Sequence, residues 1–552
     1  MALCERIGSG MRAIDLYAGI GGWGLGLRLA DVDIVGSYER WKPAIDTHNA
    51  NLNGQIEPVD IRKLDLTTLP SGIELVVGSP PCTEFSYANR GGSGDIAEGL
   101  KDLVKFFEIV EYLQPRFWAM ENVPRVAEVL RTGFQTPDHA LHRFRHLDPQ
   151  IEVFDFSDYG TPQARRRCIA TNIPLDRVFG YRTQMPKRTL GDVLKAVTGP
   201  EDVVDPVWNV SLKVNELTEQ QTEAALNDEE LRMNREAKEF HPVYNNMAFP
   251  DPLDEPARTV TATCTRVSRE SIVIADPKAE GRFRRLTIRE RACLQGFPIT
   301  YQFYAKTFAE KAKMIGNAIP PTFTYLLALA ARGAEFDGFD VAGEKLALPS
   351  KKASITLPDR EGRTYPLSRG FRAALPGLRF KSGMRFELAN SATKEGAEWR
   401  VRFFFGPSKD IREIDLTGEV SNDLENSPLV ASVLRAFKSD LVTAARNLAL
   451  TSPWKLQLAW AHKTEGVSPY EVVDQLGALA SQLLDRLAAE LDEDDLKTVS
   501  QYVLEIADAA AEFAKPVSRT KLDKYALPIL TGIIIGEWFN TLDWHSTQKA
   551  AA

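Results

Sequence analysis

RAIDLYAGIGGWGLGLRLA, residues 12–30, reads as a short apolar strand, a glycine turn and a helix in immediate succession. Such a turn lets a helix begin close to a ligand, with backbone amides facing it. Alone the pattern is weak, since glycine-rich strand–helix turns serve many ligands and some serve none. No Lys-Ser/Thr pair follows, which argues against a triphosphate-binding loop. The next strand, DIVGSYE (33–39), carries an acid at its carboxyl end. Glu39 thereby stands about 20 residues past the turn, where an acid grips ribose hydroxyls. Strand-end acids are often only solvated caps, but the turn and Glu39 together favour an adenosine-containing ligand.

Further strands read at IELVVGS (73–79), RFWAMEN (116–122), IEVFDFSDYG (151–160) and RRCIAT (166–171), with a helical pattern at 100–113. Their alternation with helices predicts an α/β domain with a mainly parallel, doubly wound sheet. Ligands of such sheets bind at the carboxyl ends of the strands. The glycine turn, Glu39, Cys82 and Glu121 all fall on that rim. Cys82 lies in GSPPCTEFS (78–86), directly after two prolines. Proline fixes its own φ and pushes the preceding residue towards extended forms. The loop is therefore stiff, and it is either a mount for a nucleophile or a turn with a stray thiol.

The 552 residues exceed one ordinary core and predict two or three domains. With 44% hydrophobic and 26% charged residues the chain is of globular composition. The five cysteines, Cys4, Cys82, Cys168, Cys264 and Cys293, form no CxxC pair. Neither a disulfide framework nor a metal site is expected. The N-terminus lacks the pattern of a secretory signal. The most apolar late stretch, ALPILTGIIIGEWF (526–539), holds a Pro and a Glu and is too short to span a membrane. A cytoplasmic protein without membrane association is expected. The net charge of −8 argues weakly against nucleic acid, yet basic residues cluster at 165–167 and in GRFRRLTIRER (281–291).

Periodicity weakens over 172–252 and returns in DEPARTVTATCTR (254–266), RRLTIRERACLQGFP (284–298) and KMIGNAIPPTFTYLLALAARG (313–333). Residues 334–352 read as a linker. Beyond it, MRFELAN (384–390) and EWRVRFFF (398–405) flank a turn and predict a hairpin. Ser468-Pro469-Tyr470-Glu471 is a capping box with Pro at the first helical position, followed by Val472, Leu476, Leu479, Leu483, Leu487 and Leu491 at helical spacing. A second amphipathic run covers 496–513. The hairpin interleaves Arg385, Arg400 and Arg402 with Phe386, Trp399 and Phe403, which suits either nucleic acid or a strand with one buried face.

In order, DLYAGIGGWGLG (15–26), Glu39, Asp60 in VDI, SPPCTEFS, ENV (121–123), QARRR (163–167) and GNAIPP (316–321) resemble the DNA (cytosine-5)-methyltransferase family, over residues 12 to about 325. The resemblance implies an α/β, Rossmann-like S-adenosylmethionine-dependent methyltransferase domain. Its catalytic and cofactor-binding part would be 1–171, a small target-recognition insertion 172–252, and the completion of the domain 253–333. Residues 353–552 would form a C-terminal α+β accessory domain making DNA or partner contacts. The implied substrate is double-stranded DNA, with a cognate restriction endonuclease as a further candidate partner.

The same resemblance implies catalytic roles for Cys82, Glu121, Arg165 and Arg167. It implies cofactor contacts from Asp15, Tyr17, Ala18, Gly19, Gly21, Gly22, Pro81 and Asn317, with Glu39 on the ribose and Asp60 near the adenine. Gln163, Arg284 and Arg285 would touch DNA. The chemistry agrees: carbon 5 of cytosine is too weak a nucleophile for a methyl sulfonium until a thiolate adds to carbon 6. A neighbouring cation favours that thiolate. A carboxyl at ring nitrogen 3, Glu121, could donate or share a proton as charge develops. Where the family commonly has Gln after the cysteine, this chain has Thr83 and Glu84. That departure puts the loop's DNA contacts in doubt, and Glu84 is expected to point away from the thiol. Rival readings are an RNA cytosine methyltransferase, a catalytically silent DNA-binding scaffold and a Rossmann-type oxidoreductase. A silent scaffold is disfavoured because Cys82, Glu121 and Arg165 are all intact, and an oxidoreductase because it leaves the Pro-Cys loop and ENV without a role.

Overall fold

Four of the five residues of β1 (Arg12–Leu16) are buried, as a strand covered on both faces requires. The computed structural model of the chain describes residues 10–81, 85, 95–199, 202–222, 224–239, 246–357, 364–380, 383–393, 396–405, 412–414, 416, 428–449, 452–509 and 519–542. β1 is joined by β2 (Asp33–Tyr38), β3 (Leu75–Gly78), β4 (Phe117–Asn122), β5 (Gln150–Asp155) and β6 (Arg166–Thr171) in one six-stranded sheet of order β2-β1-β3-β4-β6-β5. β2, β1, β3 and β4 run parallel. β6 runs antiparallel to both β4 and β5. The short 156–165 connection explains the reversal, because a parallel return needs a crossover of about a dozen residues or more.

Successive residues of each strand feed opposite cores. Ala13, Leu75, Val77 and Ala119 join one apolar cluster, while Ile14, Leu16, Val76 and Trp118 join the other. The period of two along a strand produces that division. Helices α1 (Gly22–Leu29), α2 (Lys42–Leu52), α3 (Ile96–Leu113) and α4 (Arg125–Gln135) follow their strands. The strand order reverses between β1 and β3, so the crevice beyond their carboxyl ends is where a ligand of this fold sits.

α1 lies against the helix Pro321–Arg332. A Cβ on Gly22 would stand 2.2 Å from the Ile319 carbonyl oxygen, and one on Gly26 2.0 Å from Thr324 Oγ1. Gly22→Ala is expected to lower stability by about 1–3 kcal/mol through overpacking. Denaturant unfolding checks this against Gly180→Ala, where a Cβ meets nothing within 4 Å.

The chain divides into two compact units, one of 1–238 and 248–359, the other of 239–247 and 360–552. This moves two expected boundaries. Leu190, Val193, Leu194, Val197, Val203, Val207, Trp208 and Leu217 belong to the same cluster as Ala13 and Trp23, so the first part of 172–252 is core rather than a separate insertion. The expected linker 334–352 is also core. Phe339 and Ala342 are buried, and the Phe339 ring lies 5.2 Å from that of Trp208. Farther on, the Thr356 amide and hydroxyl donate to Glu219 Oε1, which also pairs with the buried Lys311 ammonium. Aromatic and buried-ion anchors thus carry the unit past residue 352. The run 308–332 is long and apolar enough to cross a membrane, but 89% of its most apolar window is buried, as in a core helix.

The second unit, taken by itself, holds a four-stranded antiparallel sheet and five helices among the described residues. The expected hairpin is present, Arg385–Ala392 pairing with Ala397–Phe405. The Ser468 capping box opens the helix Pro469–Glu490. Phe386 and Phe403 stack at 4.4 Å, and a Cβ on Gly532 would meet the Phe386 ring at 2.3 Å. Trp399 is wholly buried. On the other face Arg385 and Arg372 pair with Glu387, Arg400 with Glu398, and Arg402 with Glu413. The interleaved aromatics and arginines therefore make a core and a paired charge ladder, as the reading of a strand with one buried face expects.

Candidate active site

The glycine turn is built from left-handed residues: Tyr17, Gly19 and Gly21 have φ of 56°, 54° and 90°. Ala18 N–H donates to the Tyr38 carbonyl at 3.0 Å, tying the turn to β2. Glu39 lies across it. Its Oε2 accepts from Gly19 N–H at 2.9 Å, while Oε1 accepts from the amides of Arg40 and Trp41 at 2.8 Å each. Val59 N–H donates to the Glu39 carbonyl at 2.8 Å, which brings Asp60 alongside. Asp60 caps a short 3-10 turn through the Arg62 amide.

Asp15 is wholly buried under the turn. Among the described residues no donor reaches hydrogen-bonding geometry with either carboxylate oxygen. The Gly24 amide is near enough to lower its pKa, but burial first, and the Glu39 charge second, push it up. A buried carboxyl without a full partner beneath a glycine turn and a strand-end acid is a donor set that fits the amino-acid and ribose ends of an adenosine cofactor.

The Pro-Pro mount is fixed from three sides. Ser79 N–H donates to the Leu16 carbonyl at 3.2 Å, Trp23 Nε1–H to Ser79 Oγ at 3.0 Å, and Asn122 Nδ2–H to the Pro80 carbonyl at 3.0 Å. Pro81 is half-buried and Phe85 fully buried. Cys82, Thr83 and Glu84 lie outside the described residues. Asn122 was present in the ENV motif, but nothing local in the sequence signalled its bond across to Pro80.

Glu121, at the end of β4, meets Arg167 on β6: Arg167 Nε–H lies 3.1 Å from Glu121 Oε1, with side chains 14% and 6% exposed. The antiparallel β4–β6 register, which places Ile169 opposite Glu121, makes this meeting possible. Asn317 is exposed at the end of the helix Phe308–Asn317.

Arg165 turns the other way. It is 1% exposed and donates to the carbonyls of Val260, Gly316 and Ala318 at 2.9–3.1 Å. Its guanidinium is committed to clamping the GNAIPP turn, so its expected catalytic contact is corrected to a positioning one. Gln163 is likewise buried, bonded to Leu294, Gln295 and Val260. Arg284 is fully buried between Glu290 and Asp276. Arg285 is 3% exposed; it donates to the Cys264 carbonyl and covers the Phe308 ring. All three were expected to touch DNA; their burial and their protein partners correct that expectation.

Two other thiols are disqualified as nucleophiles. Cys168 and Cys293 are buried, and burial, then the nearby Glu121 charge, pushes the Cys168 thiol up to about 12. Burial raises Cys293 further.

A family profile described as C-5 cytosine-specific DNA methylase matches residues 11–331. The chain is 29% identical over 326 residues to the Type II methyltransferase M.HgiDI of Herpetosiphon aurantiacus, covering 58% of this chain and 93% of that one. It is 28% identical over 329 residues to the Type II methyltransferase M.HindV of Haemophilus influenzae, covering 58% and 96%. The stretch 360–552 of the second unit lies beyond the end of the family match.

Proposed function

The chain belongs to the C-5 cytosine-specific DNA methylase family, and from that premise we propose that it methylates a specific duplex sequence through a covalent Cys82 adduct on a flipped-out cytosine. It is a DNA (cytosine-5-)-methyltransferase that uses S-adenosylmethionine. The observation that carries the finer reading is the Glu121–Arg167 pair on the strand beside the Pro-Pro mount.

Bound in the crevice, the cofactor supplies an electrophilic methyl group. Cys82 thiolate would add to carbon 6, making carbon 5 nucleophilic towards the methyl group that a bound cofactor would supply, whose sulfonium–carbon bond would break to leave the neutral thioether S-adenosylhomocysteine. Loss of the carbon 5 proton to a base, with expulsion of the thiolate, restores the ring and the nucleophile. Glu121 holds ring nitrogen 3 and the exocyclic amine while Arg167 orients its carboxyl. Glu39 holds the ribose, Asp60 lies near the adenine, and Asp15 with the turn of Tyr17, Ala18, Gly19, Gly21 and Gly22 surrounds the amino-acid end. Pro81 and Asn317 close the site. The cytosine must leave the duplex to reach this crevice, at a cost of a few kcal/mol. Its similarity to Type II methyltransferases supports a role in a restriction-modification context.

Transfer of tritiated methyl groups to DNA and not RNA, followed by sequencing for 5-methylcytosine, tests the function and reports the target. Label in RNA alone would favour the RNA reading. Glu39→Ala is expected to weaken cofactor binding by about 1–3 kcal/mol through lost charged hydrogen bonds. Calorimetric titration with S-adenosylhomocysteine checks it, and an unchanged dissociation constant contradicts the assignment.

A further inference from the structure

Tyr17 is the non-glycine residue that holds a left-handed conformation inside the glycine turn, a backbone state that is strained for a residue with a β-carbon. Its hydroxyl donates to Asp102 Oδ1 at 3.2 Å and lies 3.5 Å from the Asp102 carbonyl. Asp102 is 5% exposed on α3. The same carboxylate receives a two-pronged guanidinium: Arg62 Nε–H at 2.9 Å and Nη2–H at 2.6 Å. Arg62 also donates to the Glu98 carbonyl at 3.1 Å and pairs with the Glu98 carboxylate. Arg62 stands two residues past Asp60, whose side chain accepts from its amide.

One buried carboxylate therefore joins three pieces: the turn under the cofactor, the segment that carries Asp60, and the first turns of α3. α3 begins at Ile96, just after the segment that carries Cys82 in the sequence. A helix held by a forked charge pair has few alternative positions. Burial first, and the Asp102 charge second, push the Tyr17 pKa up, so its hydroxyl remains a donor.

We propose that Asp102 is a positioning residue which, through Tyr17 and Arg62, transmits occupancy of the cofactor site to the start of α3. This rests on the cofactor contacts assigned above. A ligand that fixes the Tyr17 turn and the Asp60 segment restrains both partners of Asp102, and α3 then loses freedom to move. Neither Arg62 nor Asp102 stood out in the sequence, since an Arg and an Asp 40 residues apart carry no local sign of meeting.

Hydrogen exchange of the full chain, with and without saturating S-adenosylhomocysteine, tests it. In the unaltered protein, exchange over residues 96–104 slows by about tenfold on saturation, a typical coupling. Asp102→Asn and Tyr17→Phe lose most of that slowing even when saturated, and bind the ligand several-fold more weakly. Lys101→Ala, which removes only the exposed partner of Glu98, keeps the slowing. Tyr17→Phe deletes a single hydroxyl, so it remains informative if Asp102→Asn fails to fold. Full slowing in both saturated variants, or none in the unaltered chain, overturns the coupling while leaving the cofactor site intact. Absence of any S-adenosylhomocysteine binding overturns both.

Discussion

Cys82→Ser is expected to lower methyl transfer by at least about a thousandfold while leaving duplex affinity nearly unchanged. A neutral hydroxyl has neither the acidity nor the nucleophilicity to add to carbon 6, whereas its size fits the same mount. The adduct itself gives the sharper readout. An oligonucleotide with 5-fluorocytosine at the target should trap the unaltered enzyme, because fluorine cannot leave as a cation once carbon 5 carries the methyl group. The adduct should resist denaturant, require S-adenosylmethionine and map to the peptide that holds Cys82. Cys168 and Cys293 are buried, each with its thiol pKa pushed up, so an adduct should not migrate to them. A Ser variant that methylates at a comparable rate would refute the thiol mechanism.

The second large effect belongs to the pair beyond the mount. Glu121→Gln preserves the side chain's shape but removes the carboxyl that, in the proposed mechanism, shares a proton with ring nitrogen 3. General acid–base contributions of this kind are worth about 10²–10⁴-fold in rate. The variant should form the 5-fluorocytosine adduct slowly rather than not at all, since the nucleophile is intact. Arg167→Ala should resemble it, because Arg167 Nε lies 3.1 Å from Glu121 Oε1 and orients that carboxyl. Rapid-quench measurement of adduct formation separates both from Cys82→Ser, which forms none. Equal adduct rates in Glu121→Gln and the unaltered enzyme would remove Glu121 from the chemistry.

The two units differ in how their local signals translate. In the second, the Ser468 box predicted a helix start and the structure has it, because a cap is satisfied by atoms within four residues. Its hairpin left two readings open; burial of Phe386, Trp399 and Phe403 favours the strand with one buried face, and on the other face the arginines pair with Glu387 and Glu398 on their own strands and with Glu413 on the next.

In the catalytic unit, residues 12–30 alone determined strand, turn and helix, and the apolar runs that followed determined a parallel sheet with its rim. Those features are legible because burial on both faces, glycine conformations and proline stiffness act within a few residues of chain. The reversed β6 was less so, and only a short connection hinted at it. What tertiary structure alone decided was the fate of the polar side chains. Gln163, Arg165, Arg284 and Arg285 look in sequence like a basic surface for phosphates. Yet Arg165 finds its acceptors at Val260, Gly316 and Ala318, about 95–153 positions away, and Gln163 its partner at Gln295. A guanidinium is inside or outside according to whether distant carbonyls and carboxylates converge on it, because a buried charge is tolerated only when it is fully bonded. For Arg165 and Gln163 no short window of sequence contains that convergence, whereas the fold brings it about; Arg284 is the exception, its partners Asp276 and Glu290 lying within eight residues.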